Sequence, residues 1–418
     1  MTDRADERLE PLRLPGFRLF WFASTAGFLG VAVTAVAIDV LVVDVLGASE
    51  VEVGIVKAAQ FVPYLLVGLV AGVLVDRWRR KPTLVVAHAA QGVLLLFLPL
   101  LWWLGAAQVW TVALVLMVVG TFGVVSAAAE QSILVDLVAR DALVGANARL
   151  GQSMTVTQSA GPPFAGLIIG LLGVGSALIA GSLARILAAI MISRVRIIEP
   201  EQAGGDRRRL VADLATGLRF IYRHRTLGPL AISTHVWFLA NSVALTTLAL
   251  FALRDLAISG GEYGIVLSAI GVGGFLGALS APRLGRRMRE GNALITSRAL
   301  CALAWVVPLA TASGAPPPVS VLSLCAGMFL YGLAMGVEDP NEMSYWQAVT
   351  PRALLGRVNA SRRTVNRSVA VVGAILGGWL VGAVGSRVTL GIVVGLFVAA
   401  SVIAALSPLR GVRVGENQ

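Results

Sequence analysis

The sequence is poor in charged residues and in cysteine, and each shortage excludes a class of protein. Only 14% of the 418 residues are charged, whereas 57% are hydrophobic and the mean hydropathy is +0.81. A soluble domain of this length has too little interior to hide that much apolar surface. The two cysteines, Cys301 and Cys325, lie in apolar runs, which predicts packing residues and neither a disulfide framework nor a metal pair. The composition therefore predicts a membrane protein.

Motifs for nucleotide binding and catalysis are also absent from the sequence. No Gly-x4-Gly-Lys-Ser/Thr loop occurs, which removes ATP as a direct energy source. The stretch Gly271-x-Gly273-Gly274 lies in an apolar segment without a preceding strand, so it predicts close helix packing. Nothing resembles a nucleophile triad or a metal cluster. We therefore expect no cofactor, no metal and no enzyme activity; a membrane-embedded enzyme or a signalling scaffold is the remote alternative.

Twelve apolar segments are long enough to cross a bilayer as helices. The first is too long for the core of a cleavable signal peptide, roughly 7 to 15 residues, so we expect it to be retained. The predicted spans are residues 17–45, 52–76, 83–105, 108–132, 148–172, 175–195, 228–253, 260–283, 292–313, 319–341, 361–384 and 387–408.

The positive charge of the chain is concentrated on one side of these spans. The net charge is +11, and the Lys and Arg residues collect in the connections on the side that holds both termini. Arg254 and Arg387 are the two cations assigned to the opposite side. The positive-inside rule then places both termini in the cytoplasm of a bacterium with this protein in its cytoplasmic membrane. We expect contact with membrane lipids and no nucleic-acid partner.

A glycine-rich, charged stretch divides the chain into two halves that resemble each other. We predict an N-terminal six-helix bundle at 1–196, a cytoplasmic linker with an amphipathic helix at 197–227, and a C-terminal six-helix bundle at 228–418. One shift of the sequence places Glu130 on Glu342 and Gly166 on Gly378. Related halves predict a substrate site at mid-membrane between them. The linker helix is expected on the inner leaflet, with a solvated connector as the alternative.

Ionisable residues inside the spans are the first candidates for transport chemistry, because a charge in the bilayer centre costs several kcal/mol. Asp39 lies in the outer half of span 1, where an apolar setting suits proton exchange; a structural salt bridge is the alternative. Glu130, at the end of span 4, is the second proton-coupling candidate. Arg185, in span 6, predicts an ion pair or substrate binding.

A second group of polar and aromatic residues on spans 7 and 10 predicts the wall of a substrate cavity. Packing, lipid contact or solvated helix ends are the alternatives for its members. The group consists of His235, Trp237, Phe238, Asn241, Tyr331, Glu338 and Asp339.

Several motifs resemble those of the major facilitator superfamily, and the resemblance covers essentially the whole chain. Gly72-x3-Asp76-Arg77-x-Arg79-Arg80-Lys81 resembles the loop motif between helices 2 and 3 of that superfamily. In span 5, Gly161, Pro162 and Gly166 are similar to its antiporter motif. The stretches 136–147, 217–224 and 355–359 resemble the branch that holds macrolide, tetracycline and siderophore exporters.

This resemblance implies an all-α membrane protein whose twelve transmembrane helices form two pseudo-symmetric six-helix bundles. It implies a secondary active exporter of a small amphipathic organic molecule, coupled to protons by antiport and alternating access, and we expect a monomer. An uptake carrier or a lysolipid flippase of the same fold is the alternative. The resemblance also implies a latch between the halves on the cytoplasmic side. The latch residues are Gly72, Asp76, Arg77, Arg80, Arg362 and Arg363.

Overall fold

The computed structural model describes residues 11–67, 78–139, 142–197 and 210–410, and the regular elements among them are helices. The N-terminal half contains six helices, numbered here in chain order. They are α1 (Pro15–Val40, continued by a π-helical turn at Leu41–Val45), α2 (Glu50–Ala59 followed by Val62–Leu66), α3 (Arg80–Trp103), α4 (Val109–Leu137), α5 (Leu143–Leu172) and α6 (Val174–Arg194).

The C-terminal half follows a short helix at Leu210–Arg223, which we call the linker helix. One continuous helical segment, Leu355–Ala405, is divided at Gly385, where φ is 82° and ψ is 160°. The helices are α7 (Leu227–Leu250, continued by a π-helical turn at Phe251–Asp255), α8 (Gly260–Met288), α9 (Glu290–Ala310), α10 (Pro317–Val349), α11 (355–384) and α12 (386–405).

The helix lengths confirm the predicted membrane fold. Within the described ranges, nine helical segments are long and apolar enough to cross a bilayer, and the last of them comprises both α11 and α12. The remaining two helices are α5, which is 30 residues long, and α2, whose described part ends at Leu66. The ends of α1 and α7 meet where Arg254 contacts Ala48, and the start of α7 shares a buried cluster with the end of α12, so α1 and α7 begin and α12 ends on one face of the bundle. We call this the terminal face and the other the opposite face.

Matching local structures show that the halves are copies of each other. On the opposite face α2 begins with a capping box between Ser49 and Glu52, and α8 begins with the same box between Ser259 and Glu262. A π-helical turn precedes each box, at Leu41–Val45 and at Phe251–Asp255. The repeat inferred from the sequence is therefore a structural repeat.

Glycine contacts join the two halves near the opposite face. A Cβ atom added to Gly54 in α2 would lie 2.7 Å from the carbonyl oxygen of Ala374 in α11, and one added to Gly264 in α8 would lie 2.5 Å from that of Pro162 in α5. Only residues without a side chain let helix backbones approach this closely. The antiporter-like motif in α5 takes part in these contacts. Gly161 packs against Ala32 of α1, whereas Pro162 and Gly166 pack against Gly264 of α8.

The apolar cores show that the halves separate toward the terminal face. The largest buried cluster contains residues from both halves, such as Leu41 and Phe251, which lie at the opposite-face ends of α1 and α7. Toward the terminal face each half has its own cluster, around Phe17 in the N-terminal half and around Trp346 in the C-terminal half. The space between these two clusters is where a cavity opens.

The linker helix packs against the C-terminal half at the terminal face. Asp213 forms a 2.8 Å ion pair with Arg357 at the start of α11, and the Ser361 hydroxyl donates a 3.2 Å hydrogen bond to the carbonyl of Leu214. Ile221 is buried in the cluster around Trp346. These contacts dock the helix on α11.

Candidate functional site

A cavity of about 1120 Å³ lies between the halves and reaches the terminal face. The N-terminal half contributes Tyr64 of α2 and Gln131 of α4, and the C-terminal half contributes parts of α7, α10 and α11. Asp213 of the linker helix and Gln347 near the end of α10 lie at its mouth. Its lining combines aromatic rings, amides and charged groups, so it suits a molecule that is partly apolar and partly polar.

Most of the predicted cavity residues line this space. Trp237, Phe238 and Asn241 of α7 and Glu338 and Asp339 of α10 belong to the lining. The rings of Trp237 and Phe238 form an edge-to-face pair with centroids 5.1 Å apart, which gives the cavity a rigid apolar wall.

His235 and Tyr331 are not among the residues that line the cavity. The Tyr331 hydroxyl donates a 2.5 Å hydrogen bond to the Asn241 side chain, so it orients a lining residue from behind. His235 lies within 2.8 Å of both the Tyr222 hydroxyl on the linker helix and the Asn366 side chain on α11. Its observed contacts therefore tie the linker helix to the C-terminal half.

A fully buried arginine behind the cavity organises the carboxylates of α10. Arg298 of α9 is 0% exposed; its Nε donates to Glu338 at 2.8 Å and its Nη2 donates to Glu342 at 3.0 Å. The same guanidinium donates to the hydroxyls of Ser233 and Thr234 on α7. A buried cation needs such partners because its desolvation would otherwise be costly. Arg298 thus fixes the position of both acids.

Sequence reasoning missed Arg298, because its place near the start of span 9 groups it with the cations of the connections. A signal was nevertheless present. The residue lies inside the predicted span 292–313, in the run Ala293-Leu-Ile-Thr-Ser-Arg298-Ala-Leu, and a charge there calls for an anionic partner.

The two acids held by Arg298 differ in their remaining contacts. Glu342 also accepts hydrogen bonds from Trp346 at 3.0 Å and from Arg362 at 3.1 Å, and the Arg362 guanidinium lies 5.1 Å from the centroid of the Trp346 ring. Oε2 of Glu338 is buried and has no hydrogen-bond partner among the described residues. No ion pair within the described ranges holds Asp339, whose side chain is exposed at the cavity.

A second buried polar cluster lies inside the N-terminal half. Glu130 of α4 accepts a 2.7 Å hydrogen bond from Ser24 of α1, and it interacts electrostatically with Arg185 of α6. Arg185 donates to Gln91, and neither ring nitrogen of nearby His88 has a hydrogen-bond partner in the described part of the chain. The Ser24–Glu130 pair occupies the repeat position of Thr234–Glu342. The predicted coupling candidate Glu130 thus lies behind the cavity lining.

Asp39 lies near the opposite face, away from the cavity. It is 6% exposed, forms a 2.6 Å ion pair with Lys57 of α2, and accepts a 3.0 Å hydrogen bond from the Tyr263 hydroxyl of α8. These are the partners expected for the salt-bridge alternative. The proton-exchange role of Asp39 stays a prediction.

Only some residues of the predicted latch lie within the described ranges. Gly72, Asp76 and Arg77 lie outside the described residues. Arg80 forms an ion pair with Asp136 of α4, within its own half. Arg362 is held by Glu342, and Arg363 lines the cavity.

A contact between the halves does occur beside the cavity. The guanidinium of Arg367 on α11 lies 4.9 Å from the ring centroid of Tyr64 and 5.4 Å from that of Phe61, both in the N-terminal half. The geometry is that of cation–π contacts.

Comparison with known proteins places the chain among membrane transporters. The family model described as transmembrane secretion effector matches residues 7–416. The chain is 28% identical to the multidrug efflux pump Tap of Mycobacterium tuberculosis over 395 residues, which are 90% of this chain and 89% of the relative. It is 25% identical to the enterobactin exporter EntS of Escherichia coli over 382 residues, 90% of this chain and 86% of the relative.

Solved structures share the fold. The nucleoside transporter NupG matches with a TM-score of 0.74 at 14% identity, over 94% of this chain and 98% of that one. A bacterial homologue of the human lysosomal transporter Spinster, in an inward-facing and occupied conformation, matches with a TM-score of 0.72 at 14% identity, over 95% and 97%. The chain therefore belongs to the transmembrane secretion effector family of major facilitator transporters, and it is a transporter and not an enzyme.

Proposed function

We propose that the protein is a secondary active exporter that moves a small amphipathic organic molecule out of a bacterial cell in exchange for protons. The observation that carries this proposal is the one-sided cavity of about 1120 Å³, which opens at the terminal face and is closed at the opposite face. Sites for drug-sized molecules have volumes of roughly 300 to 1000 Å³, so the cavity is large enough for one. Alternating access requires a cavity of this kind.

The direction of transport rests on two supports. The cations on the terminal side favour a cytoplasmic terminal face in the cytoplasmic membrane. The cavity then collects its substrate from the cytoplasm. Tap is a multidrug efflux pump and EntS exports enterobactin, so two relatives that cover most of this chain are exporters.

The cavity lining supports an amphipathic substrate. Trp237, Phe238 and Tyr64 supply aromatic surface, Asn241 supplies an amide and Asp339 supplies a carboxylate. Aromatic rings contribute binding energy to substrates of different shapes, whereas a carboxylate favours substrates with a cationic or hydrogen-donating group. Arg363 at the cavity gives a second, positive contact for a polar substituent.

Asp39 and Glu130 are the proposed sites of proton coupling. Both are carboxylates inside helices, and each has a basic residue as its neighbour, Lys57 for Asp39 and Arg185 for Glu130. A carboxylate that exchanges a proton changes the charge balance of such a pair, and this change is what couples proton binding to helix movement.

Transport of ethidium, a fluorescent amphipathic cation, into proteoliposomes tests this function. With an acidic lumen, antiport exchanges luminal protons for external ethidium, so we expect accumulation above the level of protein-free liposomes and none when the gradient is reversed. Accumulation only with an alkaline lumen would indicate an uptake carrier, and equilibration that ignores the gradient would indicate facilitated diffusion or a flippase. Either result contradicts the proposal.

The variants Asp39→Asn and Glu130→Gln separate the coupling candidates. The variant that removes the coupling carboxylate loses gradient-driven accumulation but keeps exchange of labelled for unlabelled ethidium. Asp339→Asn is the matched control, because it changes a carboxylate at the cavity surface and is expected to weaken binding while accumulation still follows the gradient. If both coupling variants accumulate ethidium normally, the proton is carried elsewhere.

A further inference from the structure

The opposite face is closed by polar contacts in addition to glycine packing. The Tyr263 hydroxyl on α8 donates to Asp39 on α1 across the boundary between the halves, at 3.0 Å. Asp39 is at the same time paired with Lys57 of its own half. Tyr263 is 1% exposed and Asp39 is 6% exposed, so the bond is shielded from solvent.

A second polar contact joins the two halves at the opposite face, and its donor again belongs to the C-terminal half. Arg254, in the π-helical turn that ends α7, donates to the carbonyl of Ala48 in the connection after α1, and at 3.2 Å to Glu50, the first residue of α2. In both contacts the C-terminal half supplies the donors and the N-terminal half supplies the acceptors. Complementary charge of this kind fixes how two surfaces meet.

The repeat counterparts of these polar groups are apolar. The repeat positions of Asp39, Lys57 and Tyr263 are occupied by Ala249, Leu267 and Val53. The contact between α2 and α11 at Gly54 and Gly378 has its repeat counterpart between α8 and α5 at Gly264 and Gly166. Glycine packing is therefore common to both halves, whereas the polar triad between α1, α2 and α8 has an apolar counterpart in the repeat.

We propose that Tyr263, Asp39 and Lys57, with Arg254 beside them, form a lock that holds the opposite face closed while the cavity is open at the terminal face. The hydrogen bond from Tyr263 is charge-assisted, because its acceptor is a carboxylate paired with Lys57. Separation of α8 from α1 breaks this bond, whereas the Asp39–Lys57 pair stays within one half. A contact made in only one of two states shifts the equilibrium toward that state. The lock rests on the proposed alternating access, but it can be measured without transport.

The substitution Tyr263→Phe tests the lock because it removes one hydroxyl and keeps the ring. Spin labels at Ala106 and Ala312 report the distance across the opposite face, since both residues are exposed and lie in connections of different halves. The labels go into the protein with Cys301 and Cys325 replaced by serine, reconstituted in lipid nanodiscs. Loss of a hydrogen bond to a charged group is expected to raise the ratio of long to short distances about tenfold.

Tyr331→Phe is the matched control. Tyr331 is also 1% exposed and also donates a hydrogen bond, but its acceptor Asn241 lies in the same half. This variant should leave the distance distribution unchanged. Asp39→Asn should shift the distribution in the same direction as Tyr263→Phe, and the two changes together should shift it by less than the product of their separate effects.

The lock is overturned if Tyr263→Phe keeps the wild-type distance distribution. It is also overturned if Tyr331→Phe shifts the distances as much as Tyr263→Phe, because the effect would then be general loosening. A shift in the distances without any ethidium transport by the wild type would support the lock and refute the proposed export. Normal gradient-driven transport with unchanged distances would refute the lock and leave export standing.

Discussion

Replacement of Arg298 by methionine should destabilise the C-terminal half more than replacement of any exposed arginine. The side chain of Arg298 is 0% exposed, and those of its partners Glu338 and Glu342 are 4% and 9% exposed. Methionine fills much of the volume of the aliphatic stem but supplies no donor. Removal of one partner from a buried ion pair costs about 3 to 5 kcal/mol, because the remaining charge is left unpaired in an apolar setting.

The partners of Arg298 make the expected cost unequal. Glu342 keeps the 3.1 Å ion pair with Arg362, whereas Arg298 is the only cation that pairs with Glu338 among the described residues. We therefore expect Glu338 to account for most of the destabilisation. The double variant Arg298→Met with Glu338→Gln should recover a large part of the lost stability, since a neutral amide costs less to bury than an unpaired carboxylate.

The free energy of unfolding, measured by titration with sodium dodecyl sulfate, is the appropriate readout. Arg357→Met is the matched control, because Arg357 forms a 2.8 Å pair with Asp213 in which the side chains are 44% and 36% exposed. Exposed pairs contribute about 0.2 to 1 kcal/mol. Equal losses for Arg298→Met and Arg357→Met, or no recovery on adding Glu338→Gln, would refute the electrostatic reasoning.

Three further predictions concern the interfaces and the cavity. Gly264→Ala places a methyl group 2.5 Å from the Pro162 carbonyl oxygen, so it should lengthen the distance between labels at the opposite face. Trp237→Ala removes an aromatic wall of the cavity and should weaken ethidium binding about tenfold, as measured by fluorescence titration. Asp76→Asn removes the acid of the latch that the sequence predicts. A hydrogen bond to a charged group is worth about 1.5 to 3 kcal/mol, so its loss should favour the terminal-open state. Distance measurements between labels at Ser193 and Arg287 report this state.

Each of these predictions has its own control. No atom lies within 4 Å of a Cβ added at Gly391, so Gly391→Ala should leave the distances unchanged, and an equal effect of both glycine variants would contradict the steric reasoning. Trp379 is 54% exposed on the bundle surface, and Trp379→Ala should bind ethidium normally. If Asp76→Asn impairs transport without changing the distance at the terminal face, Asp76 acts in folding or insertion and the latch is wrong.

The helices and the two halves could be predicted because a helix that crosses a bilayer must consist mostly of apolar residues, which are visible in the sequence. Spans follow from runs of apolar residues, and the predicted 17–45 corresponds to α1 and its π-helical turn at Pro15–Val45. The repeat could be recognised because corresponding turns of the two halves require the same type of residue. Gly173 and Gly385 both adopt a φ of 82°, which disfavours any residue with a side chain.

The contacts of the site were harder to predict, because they depend on how helices rotate against each other. Asp39 and Lys57 were both placed inside neighbouring spans, so their pairing within one hairpin was within reach of sequence reasoning. The bond from Tyr263 was not, since it joins residues 224 positions apart in different halves. Arg298 was missed because hydropathy averages over a span and assigns a charge near its end to the connection.

Two distance measurements on the same protein test the alternating-access proposal most directly, with one label pair across each face. The pairs are Ala106 with Ala312 at the opposite face and Ser193 with Arg287 at the terminal face, recorded with and without ethidium at a series of pH values. We expect the two distances to change in opposite directions, so that every condition that lengthens one shortens the other. Distances that lengthen together at both faces, or that never change at the opposite face, would contradict transport by alternating access.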